Sequence, residues 1–273
     1  MNKERQIQIM GIVNLTDDSF FSGSRVLPRS GGDITPAIDR IGSLICEGAD
    51  IIDFGAVSTR PGAPSIDEPT EWRRLKTVLK TARETFPDTP FSIDTTSASI
   101  VQKAYEEIGP FIINDISAGE DDPKMLPLAG ELSLPYIAMH KRGNPQTMGE
   151  MTDYKDVTSE VYSYFEEFSL KADKFGIKDW ILDPGFGFAK TVPQCYELLS
   201  GLKRFKDLGR AVLVGISRKR MVTEVLGIPP EEALEGTQIL NFAALERGAD
   251  ILRVHDVKEA KRTITLYRQF FSI

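Results

Sequence analysis

Three stretches of this chain share one build: a glycine, a short apolar run, and a polar side chain at its end. They are Gly48-Ala49-Asp50-Ile51-Ile52-Asp53-Phe54-Gly55, Gly109-Pro110-Phe111-Ile112-Ile113-Asn114-Asp115, and Gly248-Ala249-Asp250-Ile251-Leu252-Arg253-Val254-His255-Asp256. The runs are too short for helices, and glycine is a common helix stop. Each therefore predicts a strand that enters straight after a helix and is buried on both faces, as in parallel sheets.

The same rhythm covers the whole chain. Strands are predicted from Gln6 to Leu15, Asp50 to Phe54, Phe91 to Asp94, Phe111 to Asn114, Tyr136 to His140, Trp180 to Asp183, Ala211 to Gly215 and Ile251 to Val254. Helical patterns separate them, the first opening at Thr35-Pro36 with Ile38, Ile41 and Ile45 as its inward stripe. An eight-fold barrel takes about 250 residues, and the chain has 273. The fold class predicted is α/β, a single-domain eight-fold β/α (TIM) barrel over residues 1–273. An open dinucleotide-binding sheet is disfavoured: no strand leads into G-x-G-x-x-G, and Gly185-Phe186-Gly187 is only a pair of glycines.

Charge narrows the partners. With 33 Lys+Arg against 40 Asp+Glu the net charge is −7, which argues against a nucleic-acid or anionic-membrane surface. No apolar run approaches the ~18 residues of a membrane span, and the opening residues lack a signal-peptide core. Cys46 and Cys195 are far apart and lie in helical segments, so both read as buried thiols in a reducing compartment, the cytoplasm.

Barrel enzymes carry their chemistry at the C-terminal strand ends. In chain order those ends hold Asn14, Asp53, Asp94, Asn114, His140, Asp183, Lys219, and Arg253 with His255. Asp53 reads equally well as a loop anchor, Asp115 as another, and His140 as a buried structural histidine. Asp94, Asn114 and Asp183 suit a flat heterocycle with N–H donors and one carbonyl, because carboxylates only accept while an amide does both. Arg218, Lys219 and Arg220 precede a helix and, with Arg253 and His255, make an anion site. Asn14 is a hard oxygen ligand that Mg²⁺ accepts beside phosphates. The residues thus predict a barrel that binds a polar heterocycle and an anion, and they do not name a reaction.

At these residues the chain resembles the dihydropteroate synthase family, over essentially its whole length. Met10 to Phe20 is similar to that family's first signature, and Gly48 to Ala63, with Ser58-Thr59-Arg60-Pro61-Gly62, to its second. Ser92 to Thr95, Ile113 to Asp115, Met139-His140, Asp183 to Phe188, Ser217-Arg218-Lys219 and Arg253 to Asp256 follow in the family's order. The resemblance implies condensation of dihydropterin-methyl diphosphate with 4-aminobenzoate in folate biosynthesis, in a homodimer with Mg²⁺, and a target for sulfonamides. It implies that Asp94, Asn114, Asp183 and Lys219 hold the pterin. Arg253 and His255, with Asn14 through Mg²⁺, would hold the diphosphate, and Lys219, Arg253 and His255 would be catalytic. Thr59, Arg60, Pro61, Phe188, Ser217 and Arg220 would frame the aminobenzoate.

The chain departs from the family at three places. Ser22 stands where an acidic loop residue is usual, Val57 where a Glu is usual, and Arg220 where a small hydroxyl residue follows the lysine. Two other readings share the heterocycle pocket: a non-catalytic pterin-binding paralogue and a corrinoid-linked methyltransferase barrel. Ser-Thr-Arg-Pro-Gly and Ser-Arg-Lys, the anion-handling pieces, argue against the second.

Overall fold

The computed structural model describes residues 6–16, 33–57, 66–144 and 146–271. Strands and helices alternate as β1 (Gln8–Asn14), α1 (Thr35–Glu47), β2 (Ile51–Gly55), α2 (Glu68–Thr85), β3 (Phe91–Asp94) and α3 (Ala98–Ile108). They continue with β4 (Ile112–Asp115), α4 (Met125–Glu131), β5 (Tyr136–Met139), α5 (Val157–Phe175), β6 (Trp180–Asp183) and α6 (Val192–Ser200). The chain closes with β7 (Ala211–Val214), α7 (Arg220–Leu226), α8 (Leu234–Glu246), β8 (Ile251–Val254) and α9 (Val257–Phe271). Each strand pairs in parallel with the next, and β8 pairs back onto β1, so the sheet is a closed eight-stranded barrel.

Local chemistry sets the helix starts. Asp67, Ser97 and Asp156 stand just before α2, α3 and α5, and each side chain accepts a first-turn N–H. Thr191 and Gln194 form a reciprocal capping box at α6. Such caps contribute about 1 kcal/mol each. At α1 the cap lies one residue earlier than Thr35: Ile34 is the N-cap residue, and Asp33 accepts the Thr35 N–H. Between β6 and β7 the helical stretch is two pieces, α6 and a 3-10 segment at Leu202–Leu208, parted at Gly201. Cys46 is exposed, which corrects the expectation of two buried thiols. The inward face of α1 is Ala37, Ile41 and Leu44, and position 46 falls on the opposite side of the helix.

The barrel interior explains where the polar strand ends come from. Met10, Ile51, Ile137, Leu213 and Ile251 pack together inside the barrel, with Ile112 and Ile181 against them. Full burial of such side chains contributes roughly 1.5–3 kcal/mol each. Side chains along a strand alternate between faces, so the residue two further on points into the barrel again, one layer nearer its mouth. On β2, β4, β6 and β8 those residues are Asp53, Asn114, Asp183 and Arg253. The apolar layer is therefore a plug, and the polar layer above it is the floor of an open mouth. The outer face of the sheet packs on the helices through a much larger apolar core.

Candidate active site

Arg253 is the hub of the mouth. Its Nε donates to Asp53 Oδ2 at 2.8 Å, and its Nη2 lies 2.6 Å from the same oxygen and 2.7 Å from Asp94 Oδ2. Burial opposes the charge on Arg253, but Asp53 and Asp94 outweigh it and raise the guanidinium above its ordinary range. Asp53, fully buried, also accepts from Asn114 Nδ2 at 3.2 and 3.3 Å. Because a carboxylate only accepts, this contact turns the Asn114 carbonyl oxygen away from Asp53. Asp53 is thus no loop anchor: it holds two side chains of the mouth, Arg253 and Asn114. Its position in the inward register of β2 was the sequence signal for that role.

Asp94 and Asn114 sit side by side in the β3–β4 register. Burial pushes the Asp94 carboxyl up, with Arg253 pulling the other way. Asp183 is raised chiefly by burial, opposed by Lys219, and accepts the Gly185 N–H at 2.8 Å. Lys219 Nζ donates to the Phe186 carbonyl at 2.7 Å and stands 4.8 Å from the centre of the Phe188 ring. Burial lowers its amine to about 8, against the pull of Asp183. Asp94, Asn114, Asp183 and Lys219 therefore share one mouth, Asn114 and Asp183 buried and Asp94 and Lys219 half-buried, and Phe188 adjoins it.

His255 is buried and its imidazole is lowered to about 3, first by burial and then by Arg253, Arg218, Lys219 and Arg40. The imidazole is therefore neutral near pH 7. Ser217 Oγ accepts from the His255 backbone N–H at 3.3 Å and lies 3.0 Å from Nδ1. With the hydroxyl proton given to Nδ1, His255 carries its own proton on Nε2. Ser217 is expected at the aminobenzoate, yet it is buried against His255, and its hydroxyl is spent there.

The three-cation anion site also narrows. Arg218 is buried in a two-pronged pair with Asp256, at 2.9 Å on both prongs, and donates to the carbonyls of Pro230 and Glu231. Its backbone is left-handed, with φ 57°. It holds the β7–α7 turn and cannot reach a ligand. Arg220 is exposed and ion-paired with Glu224 one turn along α7, although it also borders a narrow gap lined by Gly187, Lys190, Cys195 and Lys219.

Asn14 lines the mouth beside Gly55. A Cβ at Gly55 would lie 3.5 Å from Asn14 Oδ1 and 3.9 Å from Asp94 Oδ2, so the glycine keeps a cradle open between two hard oxygens. Among the described residues no group of three His, Cys, Asp or Glu side chains is placed to hold a metal. The donors fit a Mg²⁺ that takes most of its ligands from phosphate and water. Asp115 is a loop anchor, accepting from Ser117, Gly119 and Tyr136. His140 is buried, against Lys190, which no motif in the sequence marks. Val57 is half-buried at the end of β2. Thr59, Arg60, Pro61 and Ser22 lie outside the described residues.

Residues 10–255 match the family of pterin binding enzymes. A pterin binding enzyme on an eight-fold barrel is the class this fold and mouth define. The dihydropteroate synthase of Synechocystis sp. is 39% identical over 257 residues, which span 93% of this chain and 86% of that protein. A Yersinia pestis dihydropteroate synthase solved in a sulfonamide drug complex superposes with a TM-score of 0.89 at 31% identity, over 98% of this chain and 94% of the other. The Xanthomonas albilineans dihydropteroate synthase solved with 4-aminobenzoic acid gives 0.88 at 33% identity, over the same shares. The chain belongs to the dihydropteroate synthase family, transferases of folate biosynthesis.

Proposed function

We propose that the mouth condenses (7,8-dihydropterin-6-yl)methyl diphosphate with 4-aminobenzoate, giving 7,8-dihydropteroate and diphosphate. The observation that carries this is the Asp53–Arg253–Asp94 chain, which joins a heterocycle pocket to a cationic anion site at bonding distance. Asp94 and Asp183 accept the pterin's N–H groups, the Asn114 oxygen accepts a third, and Lys219 donates to its carbonyl side. Arg253 and the Nε2–H of His255 receive the diphosphate. Asn14 would hold Mg²⁺, which when bound supplies positive charge to the departing oxygens.

The amine nitrogen forms a bond to the pterin methylene carbon, the bond from that carbon to the diphosphate oxygen breaks, and the amine proton passes to water. Negative charge grows on the leaving group, where Arg253 and His255 are already in place. Preorganised donors of this kind are typically worth ~3–4 kcal/mol each. An aromatic amine is nucleophilic when neutral, so no strong base is needed, and His255 at about 3 is unsuited to being one.

The aminobenzoate enters over Phe188, and Thr59, Arg60 and Pro61 are its expected contacts by likeness to the family. Arg220 leaves Glu224 for its carboxylate, a small cost for an exposed pair. Sulfonamides, as aminobenzoate mimics, compete at this place. The working form is a homodimer in the cytoplasm, with Ile239, Leu266, Phe270 and Phe271, all exposed on α8 and α9, as the face that a second copy covers. Among the described residues no helix is long and apolar enough to cross a membrane. The test is dihydropteroate formation from both substrates with Mg²⁺, with Lys219→Ala beside it. Product that disappears in the variant supports the reading, and pterin binding without product from the unaltered chain refutes it.

A further inference from the structure

Lys190 is a buried cation with no part in the chemistry above. Its ammonium lies 3.0 Å from the Gly185 carbonyl, 3.0 Å from the Phe188 carbonyl and 2.9 Å from His140 Nδ1. The His140 carbonyl oxygen lies further off, at 3.5 Å. Three donors thus meet four acceptors, and among the described residues no carboxylate pairs with the ammonium. All of these acceptors belong to His140, just past the end of β5, or to the turn after β6. That turn is tight. Gly185 has φ 71°, and a Cβ there would fall 2.0 Å from the His140 carbonyl oxygen. Gly187 has φ 82° and donates its N–H to Cys195 Sγ at 3.3 Å. The same turn supplies both groups that hold Lys219: the Phe186 carbonyl and the Phe188 ring.

We propose that Lys190 is a positioning residue for Lys219, clamping the Gly185–Phe188 turn so that it offers its carbonyl and its ring to the Lys219 amine. A buried ammonium is costly unless its donors are all satisfied, and here they are. Apolar side chains could fill the space, but none could hold two carbonyls of one turn and a neighbouring strand's imidazole at once. Burial pushes the amine down to about 7, with Cys195 and Asp183 raising it and Lys219 and Arg142 lowering it further. His140 is itself lowered to about 2, chiefly by burial, so its Nδ1 is available as an acceptor. The consequence for pterin binding rests on the function proposed above, while the clamp itself does not.

The test uses the full chain with lysine labelled at the ε-carbon and read by NMR, Lys219 being assigned through Lys219→Arg. The Phe188 ring shifts the Lys219 ε-protons upfield. In Lys190→Met that shielding is expected to vanish. Pterin diphosphate affinity, measured by titration without aminobenzoate, is expected to fall roughly ten-fold or more. Lys190→Met added to Lys219→Ala should then cost little beyond Lys219→Ala alone, because the first acts through the second. If Lys190→Met fails to fold, His140→Phe removes one acceptor and is expected to weaken the shielding in the same direction. Unchanged shielding in a folded variant, or affinity losses that simply add, would overturn the proposal. Lost shielding in a chain whose unaltered form binds no pterin diphosphate would support the clamp and refute the functional reading instead.

Discussion

Arg253 and Asp94 meet at 2.7 Å across the mouth of the barrel, one from β8 and the other from β3. The contact joins the residue assigned to the diphosphate with a residue assigned to the pterin. A substrate carrying both groups on one methylene carbon would therefore find its two ends bound by a single connected network. Asp53 completes that network from beneath, holding Arg253 and Asn114 together.

Asp53→Asn is expected to damage both ends at once. Removing one partner of a buried ion pair costs about 3 kcal/mol or more, here softened because Asp94 still pairs with Arg253. Thermal unfolding should show a lower midpoint. Steady-state kinetics should show kcat/KM for the pterin substrate reduced roughly ten- to hundred-fold. A variant with unaltered kinetics would mean that Asp53 supports only the fold.

Pterin affinity should follow a bell in pH. Asp94 accepts its pterin N–H most strongly when ionised, and burial raises its carboxyl, so affinity falls as pH drops and the acid limb sits above the ordinary aspartate range. Lys219 must be protonated to donate, and its amine is lowered to about 8, so affinity also falls as pH climbs through that value. Lys219→Arg keeps its charge throughout and should remove the alkaline limb. Titration across pH measures both limbs, and an alkaline limb that survives in Lys219→Arg would assign it elsewhere.

The fold was legible because short apolar runs recur eight times between helical patterns, and the mouth because polar side chains close those runs. Once Ile51, Ile112, Ile181 and Ile251 are read as inward, Asp53, Asn114, Asp183 and Arg253 must point inward too. What the sequence did not show is which polar groups satisfy one another. Arg218 and Lys219 are adjacent and equally cationic in sequence, yet a left-handed backbone at Arg218 sends its guanidinium to Asp256. Ser217 and His255 lie 38 positions apart, and only the pairing of β7 with β8 makes them neighbours. Lys190 is hidden for the same reason: backbone carbonyls leave no mark in a sequence, and its one side-chain partner, His140, lies 50 positions away.

Arg218 should therefore behave as a structural residue. Arg218→Ala leaves Asp256 and two carbonyls unpaired, and urea unfolding should show a loss of about 3 kcal/mol. Arg218→Lys should rescue little of it, because one ammonium cannot replace the two-pronged contact. KM for either substrate should change far less than stability does. A large KM change with stability intact would return Arg218 to the anion site.

Arg220 should show the opposite pattern. Its pair with Glu224 is exposed, so Arg220→Ser should alter stability by no more than about 0.5 kcal/mol. KM for 4-aminobenzoate should rise roughly five-fold, corresponding to about 1 kcal/mol. Glu224→Gln frees the guanidinium and should lower that KM. Unchanged KM in both variants would leave Arg220 as a solvent-facing residue.

The most direct measurement is diphosphate release by the purified chain with the dihydropterin diphosphate and Mg²⁺, with and without 4-aminobenzoate. Sustained release that requires the amine, one diphosphate for each dihydropteroate formed, is the predicted result. Binding of the pterin substrate with no amine-dependent release would contradict a transferase and leave a barrel that only holds its ligand.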